Sequence, residues 1–173
     1  MIVSAHDGYP RWLHSGADFL EMDIRRSRGG AVVLAHDRLR WWRRYVGFDE
    51  VLAAVPPTIG LHLDLKEAGY ELELVGRVLE RWTADRVVVT PDFESSVKAV
   101  KAAFPEVRVS PVDFITLDQR YATDGALAAA RKPVWVWTVD DRREIERFQA
   151  DSRIEGIITN RPDLALELRS ARS

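Results

Sequence analysis

Cysteine is absent from the 173-residue sequence. Its absence excludes a disulfide framework, thiolate metal ligands and a cysteine nucleophile, so any metal ion must be held by oxygen or imidazole ligands. An excess of charge of one sign is also absent, since 25 basic and 27 acidic residues leave a formal net charge of −2. This balance provides no strong field that would indicate a nucleic-acid or membrane-surface partner. A small-molecule substrate is the simpler expectation.

Long hydrophobic runs are missing as well. No apolar stretch approaches the ~20 residues that span a bilayer, and residues 1–6 lack the basic region and apolar core of a secretion signal. We therefore predict a cytoplasmic protein without a membrane span. At 46% hydrophobic residues, the chain has the size and apolar content of one ordinary domain. We expect residues 1–173 to form that single domain, while the oligomeric state stays open.

Short β-branched runs alternate with longer helical patterns along the chain. This alternation is typical of a parallel sheet covered by helices, and it fits both a closed barrel and an open sheet. About eight candidate strands favour a (β/α)8 barrel, although such barrels typically have ~250 residues. The predicted strands are 2–6, 19–24, 31–36, 59–66, 86–90, 107–112, 134–139 and 156–159. The predicted helices are 48–54, 70–83, 94–104, 124–131, 141–150 and 162–169.

The chain must be shorter than usual somewhere, and the link between the first two predicted strands is the clearest place. Only residues 8–17 are available there, and Pro10 limits a regular helix. We therefore predict a trimmed (β/α)8 TIM-type barrel of the α/β class, in which the first crossover helix is missing or vestigial.

Acidic residues lie at or near the ends of predicted strands, and in parallel α/β folds that end of the sheet faces the functional site. Glu21 and Asp23 are two residues apart, so both side chains point to one face of a strand, and Asp64 and Lys66 share a face in the same way. Three inward carboxylates repel one another unless a cation is present. We predict one divalent cation, Mg²⁺ or Ca²⁺, with Glu21, Asp23 and Asp64 as its ligands.

Two histidines also close predicted strands, His6 the first and His36 the third. Phosphodiester cleavage needs a base for the attacking oxygen and an acid for the leaving oxygen, and histidine can serve as either near neutral pH. Each histidine alone is more commonly a hydrogen-bonded strand-end residue, whereas the histidines and the carboxylates together favour catalysis. Asp37 either orients His36 or forms a turn. Lys66 either neutralises a phosphate or pairs with Asp64.

Six segments carry a recognisable pattern, in order and over nearly the whole chain. They are 5–8 (AHDG), 16–24 (GADFLEMDI), 33–37 (VLAHD), 63–66 (LDLK), 136–139 (VWTV) and 156–162 (GIITNRP). The pattern resembles the glycerophosphodiester phosphodiesterase family, (β/α)8 barrels that hydrolyse glycerophosphodiesters to an alcohol and glycerol 3-phosphate with Ca²⁺ or Mg²⁺ and two histidines. The resemblance implies that His6 and His36 are the acid/base pair and that Glu21, Asp23 and Asp64 bind the metal.

The resemblance also assigns the substrate side of the site. It implies that Lys66 is the family's phosphate-side lysine and that Trp137 is an aromatic residue near the substrate. Asp7 stands where the family usually has an arginine that contacts the phosphate, so the charge at this substrate position is reversed. The Pro-Glu-Asn-Thr signature that usually follows is missing, in keeping with the short link. Asp64 replaces a usual glutamate, as in the related spider-venom phospholipase D toxins.

Residues 38–45 combine four arginines with three aromatic residues. The arginines could bind phosphate and so replace the arginine lost at position 7. The alternative is a solvated helix entry with buried tryptophan rings, and nucleic-acid binding is a weaker option because the rest of the chain has no basic surplus. At Asn160 and Arg161, capping of the last helix and contact with substrate both stay open.

Together these features predict a metal-dependent phosphoric diester hydrolase of lipid metabolism that acts on a small glycerophosphodiester-like substrate and has no nucleic-acid partner. In the family, a substrate hydroxyl attacks first, and water then opens a cyclic phosphodiester. Two alternatives stay open. One is a non-catalytic or repurposed relative that binds a small phosphorylated ligand, and the other is a lyase-type, phospholipase D-like enzyme that releases the cyclic phosphate. The head group and the separate roles of the two histidines also stay open.

Overall fold

A computed structural model describes residues 1–172 and shows strands alternating with helices. The strands are β1 (Ile2–Ala5), β2 (Phe19–Arg26), β3 (Val32–Leu34), β4 (Gly60–Leu65), β5 (Val87–Pro91), β6 (Arg108–Val109), β7 (Ile115–Asp118), β8 (Val134–Trp137) and β9 (Ile154–Thr159). The helices are α1 (Phe48–Ala54), α2 (Glu71–Leu79), α3 (Glu94–Ala103), α4 (Asp124–Ala129), α5 (Arg142–Ala150) and α6 (Pro162–Ser170). Within residues 1–172, no helix has the length and apolar character needed to cross a membrane.

The chain forms two compact units, and strand β2 begins in one and ends in the other. The first unit contains residues 1–21 and the chain from Ser110 onward. Its parallel strands run in the order β7-β8-β9-β1, with Phe19 at the start of β2 opposite Ser4 of β1. Helix α5 begins where the Asp141 carboxylate accepts hydrogen bonds from two backbone N–H groups at 2.9 and 3.2 Å, and it buries Ile145 and Phe148, three residues apart on one face.

The second unit comprises Met22–Val109. Its parallel strands run in the order β6-β5-β4-β2, and β3 pairs antiparallel with β2. The first three residues of β5, Val87 to Val89, are fully buried, as expected for a parallel strand covered on both faces. Helix α2 buries Leu74, Val75 and Val78, which form an apolar stripe along one side.

The alternating pattern and the predicted helices are confirmed, with helix ends shifted by up to four residues. In the part of the chain that the structure describes, only turns connect β1 to β2, so the missing first helix is confirmed.

One predicted strand is present but runs antiparallel, and one strand was not predicted. The strand predicted at 31–36 is the short β3, which folds back on β2 through a turn in which Gly30 has a φ of +88°, so it is not a parallel barrel strand. Conversely, β7 was missed because Ile115 to Leu117 is a short, half-buried run between Asp113 and Asp118.

Trp135 on β8 organises the packing of the first unit. Its fully buried ring contacts Phe19 and Phe114, with ring centroids 5.7 and 5.1 Å away, and its Nε1 donates to Glu155 Oε2 at 2.7 Å. Gly156 of β9 passes so close that a Cβ there would lie 2.9 Å from Cδ2 of the indole. The absence of a side chain at position 156 is therefore what allows the indole to lie in this position.

We expect Gly156→Ala to lower the free energy of unfolding by about 1–3 kcal/mol, because the added methyl group overpacks the core against the Trp135 ring. Urea denaturation measures the change. Gly125→Ala in α4 is the matched control, since a Cβ there meets no atom within 4 Å, and it should be neutral or stabilise the protein by up to about 1 kcal/mol. Equal effects of the two substitutions would contradict this account of the packing.

Candidate functional site

Strand β2 carries two acidic residues on one face of the sheet. Glu21 and Asp23 alternate with Met22 along the strand, and only 3% and 4% of their surfaces are exposed. Carboxylates so far from water need hydrogen bonds or a positive partner to offset the loss of hydration. Within residues 1–172, the carboxylate oxygens of Glu21, Asp23 and Asp64 of β4 form the group that could hold a metal ion.

Lys66 is the positive partner of Asp23 and Asp64 in the second unit. Its Nζ lies 2.9 Å from Asp23 Oδ1 and 2.9 Å from Asp64 Oδ2, and its backbone N–H donates to Ile24 O at 3.1 Å. Burial opposes the charge on this lysine, but the carboxylates of Asp64 and Asp23 outweigh that effect and raise its pKa. The ammonium therefore stays charged. Of the two roles left open for Lys66, pairing with Asp64 is observed, and it extends to Asp23.

One ammonium does not satisfy both carboxylates. Burial raises the pKa of Asp64 to about 6, an effect that Lys66 opposes and Asp23 reinforces. Asp23 Oδ2 is buried and, among residues 1–172, has no hydrogen-bond partner. Leaving a buried carboxylate oxygen unpaired costs free energy, which a directly bound cation would recover. The all-oxygen donor set of Glu21, Asp23 and Asp64 fits hard cations such as Mg²⁺ and Ca²⁺.

His6 lies in the first unit, directly after β1. Its backbone N–H donates to Thr159 O at 2.8 Å, which continues the pairing of β1 with β9. The imidazole Nδ1 lies 3.0 Å from Asn160 Oδ1, and Nε2 lies 3.9 Å from Glu21 Oε2. The two ring nitrogens thus have different surroundings, with an amide on one side and a carboxylate on the other.

Asp140 determines which way the Asn160 amide points. Its carboxylate accepts hydrogen bonds from the backbone N and from Nδ2 of Asn160, both at 2.8 Å, and from Thr159 Oγ1 at 3.2 Å. Because Nδ2 donates to Asp140, Asn160 presents its carbonyl oxygen to His6, and Nδ1 of His6 must carry the hydrogen. In neutral His6, Nε2 is then the proton acceptor, on the side of Glu21.

Asp7 has a backbone conformation that few residue types adopt. Its φ is +46°, in the left-handed region where aspartate and asparagine are enriched, and its N–H donates to Glu21 Oε2 at 3.1 Å. The carboxylate itself is 71% exposed. The aspartate therefore suits the left-handed backbone conformation as well as reversing the charge at this position.

His36 belongs to the second unit and follows β3. Its side chain is 71% exposed, and its Nδ1 lies 3.0 Å from Asp37 Oδ1. This hydrogen bond lowers the pKa of Asp37. Arg25 donates two hydrogen bonds to the backbone oxygen of His36, from Nη2 at 2.8 Å and from Nε at 3.0 Å. For Asp37, the observed contact is the one expected of a residue that orients His36.

Two functional candidates were missed or misread in the sequence. Asn160 does not cap the last helix, because α6 has Arg161 at its N-cap, and the Asn160 side chain hydrogen-bonds to His6. Asp140 was not considered, although it follows the end of β8 as the other polar residues follow their strands. Trp137, the last residue of β8, is 41% exposed.

The prediction of buried tryptophan rings in residues 38–45 was wrong. Trp41 and Trp42 are 93% and 64% exposed. The four arginines of the segment are exposed as well, whereas Leu39 and Tyr45 are half-buried.

The fold is that of solved glycerophosphodiester phosphodiesterases. Those from Agrobacterium tumefaciens and Thermotoga maritima are 17% and 16% identical to this chain, with TM-scores of 0.71 and 0.79. The alignments cover 98% of this chain in both cases, and 99% and 98% of those chains. A phosphodiesterase from Oleispira antarctica, solved with the product sn-glycerol-3-phosphate, is 17% identical with a TM-score of 0.75, over 98% of this chain and 97% of that one.

No protein-family model matches the chain, and no curated protein matches it in sequence. The solved structures confirm the resemblance carried by the six sequence segments as a likeness of fold. The predicted trimmed (β/α)8 barrel is confirmed with it.

We expect the affinity of the protein for Mg²⁺ to fall as the pH is lowered through 6. Asp64 must lose its proton to bind a cation, and burial raises its pKa to about 6, so protons compete with the metal below that pH. The dissociation constant should rise by up to about tenfold between pH 6 and 5 and change little between pH 7 and 8. Isothermal titration calorimetry measures it. Asp37→Asn, at an exposed carboxylate, should keep the same profile, and a flat profile for the unmodified protein would contradict the role of Asp64.

Proposed function

We propose that the protein is a metal-dependent phosphodiesterase of the glycerophosphodiester phosphodiesterase family that cleaves small glycerophosphodiester-like substrates in the cytoplasm. The observation that carries the proposal is the buried carboxylate pair of β2, in which Asp23 keeps an unpartnered oxygen and Glu21 faces an imidazole nitrogen of His6 at 3.9 Å. The shared fold and the six matching segments support the family. We take the chain to act as a single domain.

Glu21, Asp23 and Asp64 would hold the divalent cation. When bound, Mg²⁺ or Ca²⁺ supplies positive charge for the phosphate oxygens of the substrate. Lys66 already lies at 2.9 Å from Asp23 and from Asp64, so its ammonium would add a second positive charge on the phosphate side. Two positive charges beside the phosphate would reduce the electrostatic repulsion between the phosphate oxygens and the approaching nucleophilic oxygen.

His6 and His36 would exchange protons with the reacting oxygens. Each histidine has Nδ1 engaged, His6 by Asn160 and His36 by Asp37, which leaves Nε2 of each for proton transfer. One imidazole takes the proton of the attacking substrate hydroxyl while the bond from phosphorus to the leaving alcohol breaks. The other imidazole gives that alcohol its proton. Water then opens the cyclic phosphodiester with the two roles reversed.

Asp7 and Trp137 would contact the part of the substrate beyond the phosphate. Both are exposed, Asp7 by 71% of its side chain and Trp137 by 41%. A carboxylate in this position disfavours a second negative group on the substrate and is compatible with a cationic one. This reversed charge is also the specific observation in favour of a repurposed, ligand-binding relative.

The proposal predicts metal-dependent turnover of one or more glycerophosphodiesters or lysophospholipids from a panel that also includes a chromogenic phosphodiester. His6→Ala and His36→Ala should each lower kcat by at least about 100-fold, because each removes one proton-transfer group. Phosphorus NMR of the products separates the hydrolase from the lyase alternative, which would accumulate the cyclic phosphate.

His14→Ala is the matched control for this assay, since His14 is an exposed histidine outside the proposed site. It should leave turnover unchanged. Activity that survives both His6→Ala and His36→Ala would show that the acid/base assignment is wrong. If no substrate on the panel is turned over with metal present, the ligand-binding alternative is favoured.

We expect Asn160→Ala to lower kcat by about 10–100-fold with little change in KM, because the His6 ring loses the acceptor that sets its tautomer. The pH profile of kcat should also change, which a purely structural defect would not cause. Arg161→Ala is the control, since the adjacent Arg161 pairs with exposed Asp163 at 3.3 Å and should be neutral. An unchanged kcat in Asn160→Ala would contradict the positioning role of Asn160.

A further inference from the structure

Residues 38–45, which we call the arginine–tryptophan loop, form the most exposed aromatic surface of the described chain. Trp41 is 93% exposed and Trp42 64%, and their rings pack edge to face with centroids 5.6 Å apart. Single exposed apolar residues are common on protein surfaces, but two adjacent tryptophans displayed together are typical of an interaction surface.

The arginine–tryptophan loop has internal hydrogen bonds and a closed base. The Arg40 backbone N–H donates to Tyr45 Oη at 2.8 Å, and the Arg43 N–H donates to Arg40 O at 3.1 Å. Where the loop rejoins the strand it left, Leu34 N–H donates to Val46 O at 2.9 Å. The two tryptophans therefore lie at the tip of a loop that is held together by hydrogen bonds within it and at its base.

The loop also concentrates positive charge. All four of its arginines are exposed, and in residues 1–172 none of them forms a salt bridge with a carboxylate. Arg40 lies over the Trp42 ring at 5.7 Å and Arg43 over the Tyr45 ring at 5.4 Å. The rest of the chain has 21 basic and 27 acidic residues, a formal charge of −6. A negatively charged surface would therefore attract this loop and repel most of the remaining protein.

We propose that the arginine–tryptophan loop docks on the anionic surface of a phospholipid bilayer, with the two indoles among the head groups and the guanidinium groups on lipid phosphates. Tryptophan prefers the membrane interface because one part of its ring is apolar and the other donates a hydrogen bond. Exposed arginines add attraction to anionic lipids. The loop tip can contact a flat bilayer while the rest of the protein, which carries net negative charge, does not.

The other partner with this chemistry is single-stranded nucleic acid, whose bases also stack on tryptophan beside arginine. Such a strand needs a basic track along its backbone, and the negative charge of the rest of the chain disfavours one. The bilayer would also lie close to the proposed site, because His36 is only two residues before the loop. Docking needs no turnover and is separate from the proposed catalysis.

Vesicle flotation with the full chain in EDTA tests the proposal without any contribution from metal or catalysis. The probes are phosphatidylcholine vesicles with and without 30 mol% phosphatidylglycerol at low and high salt. We expect binding to the anionic vesicles alone, weakened by salt. Arg40→Ser with Arg44→Ser should lower the partition coefficient by roughly 30-fold, since each arginine near an anionic surface contributes about 1 kcal/mol.

Arg28→Ser with Arg131→Ser is the matched control, because it removes the same charge from exposed sites outside the loop and should change binding by less than about threefold. Trp41→Ala with Trp42→Ala should lower the partition coefficient at least about tenfold and abolish the blue shift of tryptophan fluorescence on vesicles. Equal losses in the loop and control arginine variants would overturn the proposal. So would an absence of binding to anionic vesicles, or tighter binding to a single-stranded oligonucleotide.

Discussion

The arrangement of the candidate site depends on the burial of like charges on the neighbouring strands β2 and β4. Asp23 and Asp64 share the single ammonium of Lys66 at 2.9 Å each, and Asp23 still keeps a buried oxygen without a partner. Burial alone would favour neutral carboxyl groups, as the raised pKa of Asp64 shows. Lys66 limits that tendency without removing it. A divalent cation bound by these residues would compensate this excess of buried negative charge.

A second, separate network holds the ring of His6 within the first unit. Asp140 turns the Asn160 amide so that its oxygen meets Nδ1 of His6, and the opposite nitrogen of the ring is left on the side of Glu21. His36 has a simpler arrangement, an exposed ring held by its neighbour Asp37. The two histidines thus differ in burial and in hydrogen-bond partner.

The sequence predicts those features that depend on local patterns. Buried strands such as β5 are recognisable because their side chains are apolar in succession, and the carboxylates of β2 are recognisable by their spacing of two. Long-range pairing is not encoded so locally. The short β7, which pairs with β8, and the contact between Asn160 and His6 depend on residues farther along the chain. The antiparallel direction of β3 depends instead on the turn after β2, where Gly30 has a φ of +88°. The positive charge of the arginine–tryptophan loop is likewise hidden in a whole-chain charge of −2.

Anomalous diffraction from crystals grown with Mn²⁺ would show whether the buried carboxylates bind a divalent cation. We expect one strong anomalous peak at roughly 2.0–2.6 Å from carboxylate oxygens of Glu21, Asp23 and Asp64. The peak should disappear in the Asp23→Asn variant. A map at saturating Mn²⁺ with no peak at these oxygens, and with Lys66 still the positive partner of Asp23 and Asp64, would show that these carboxylates do not hold a metal ion.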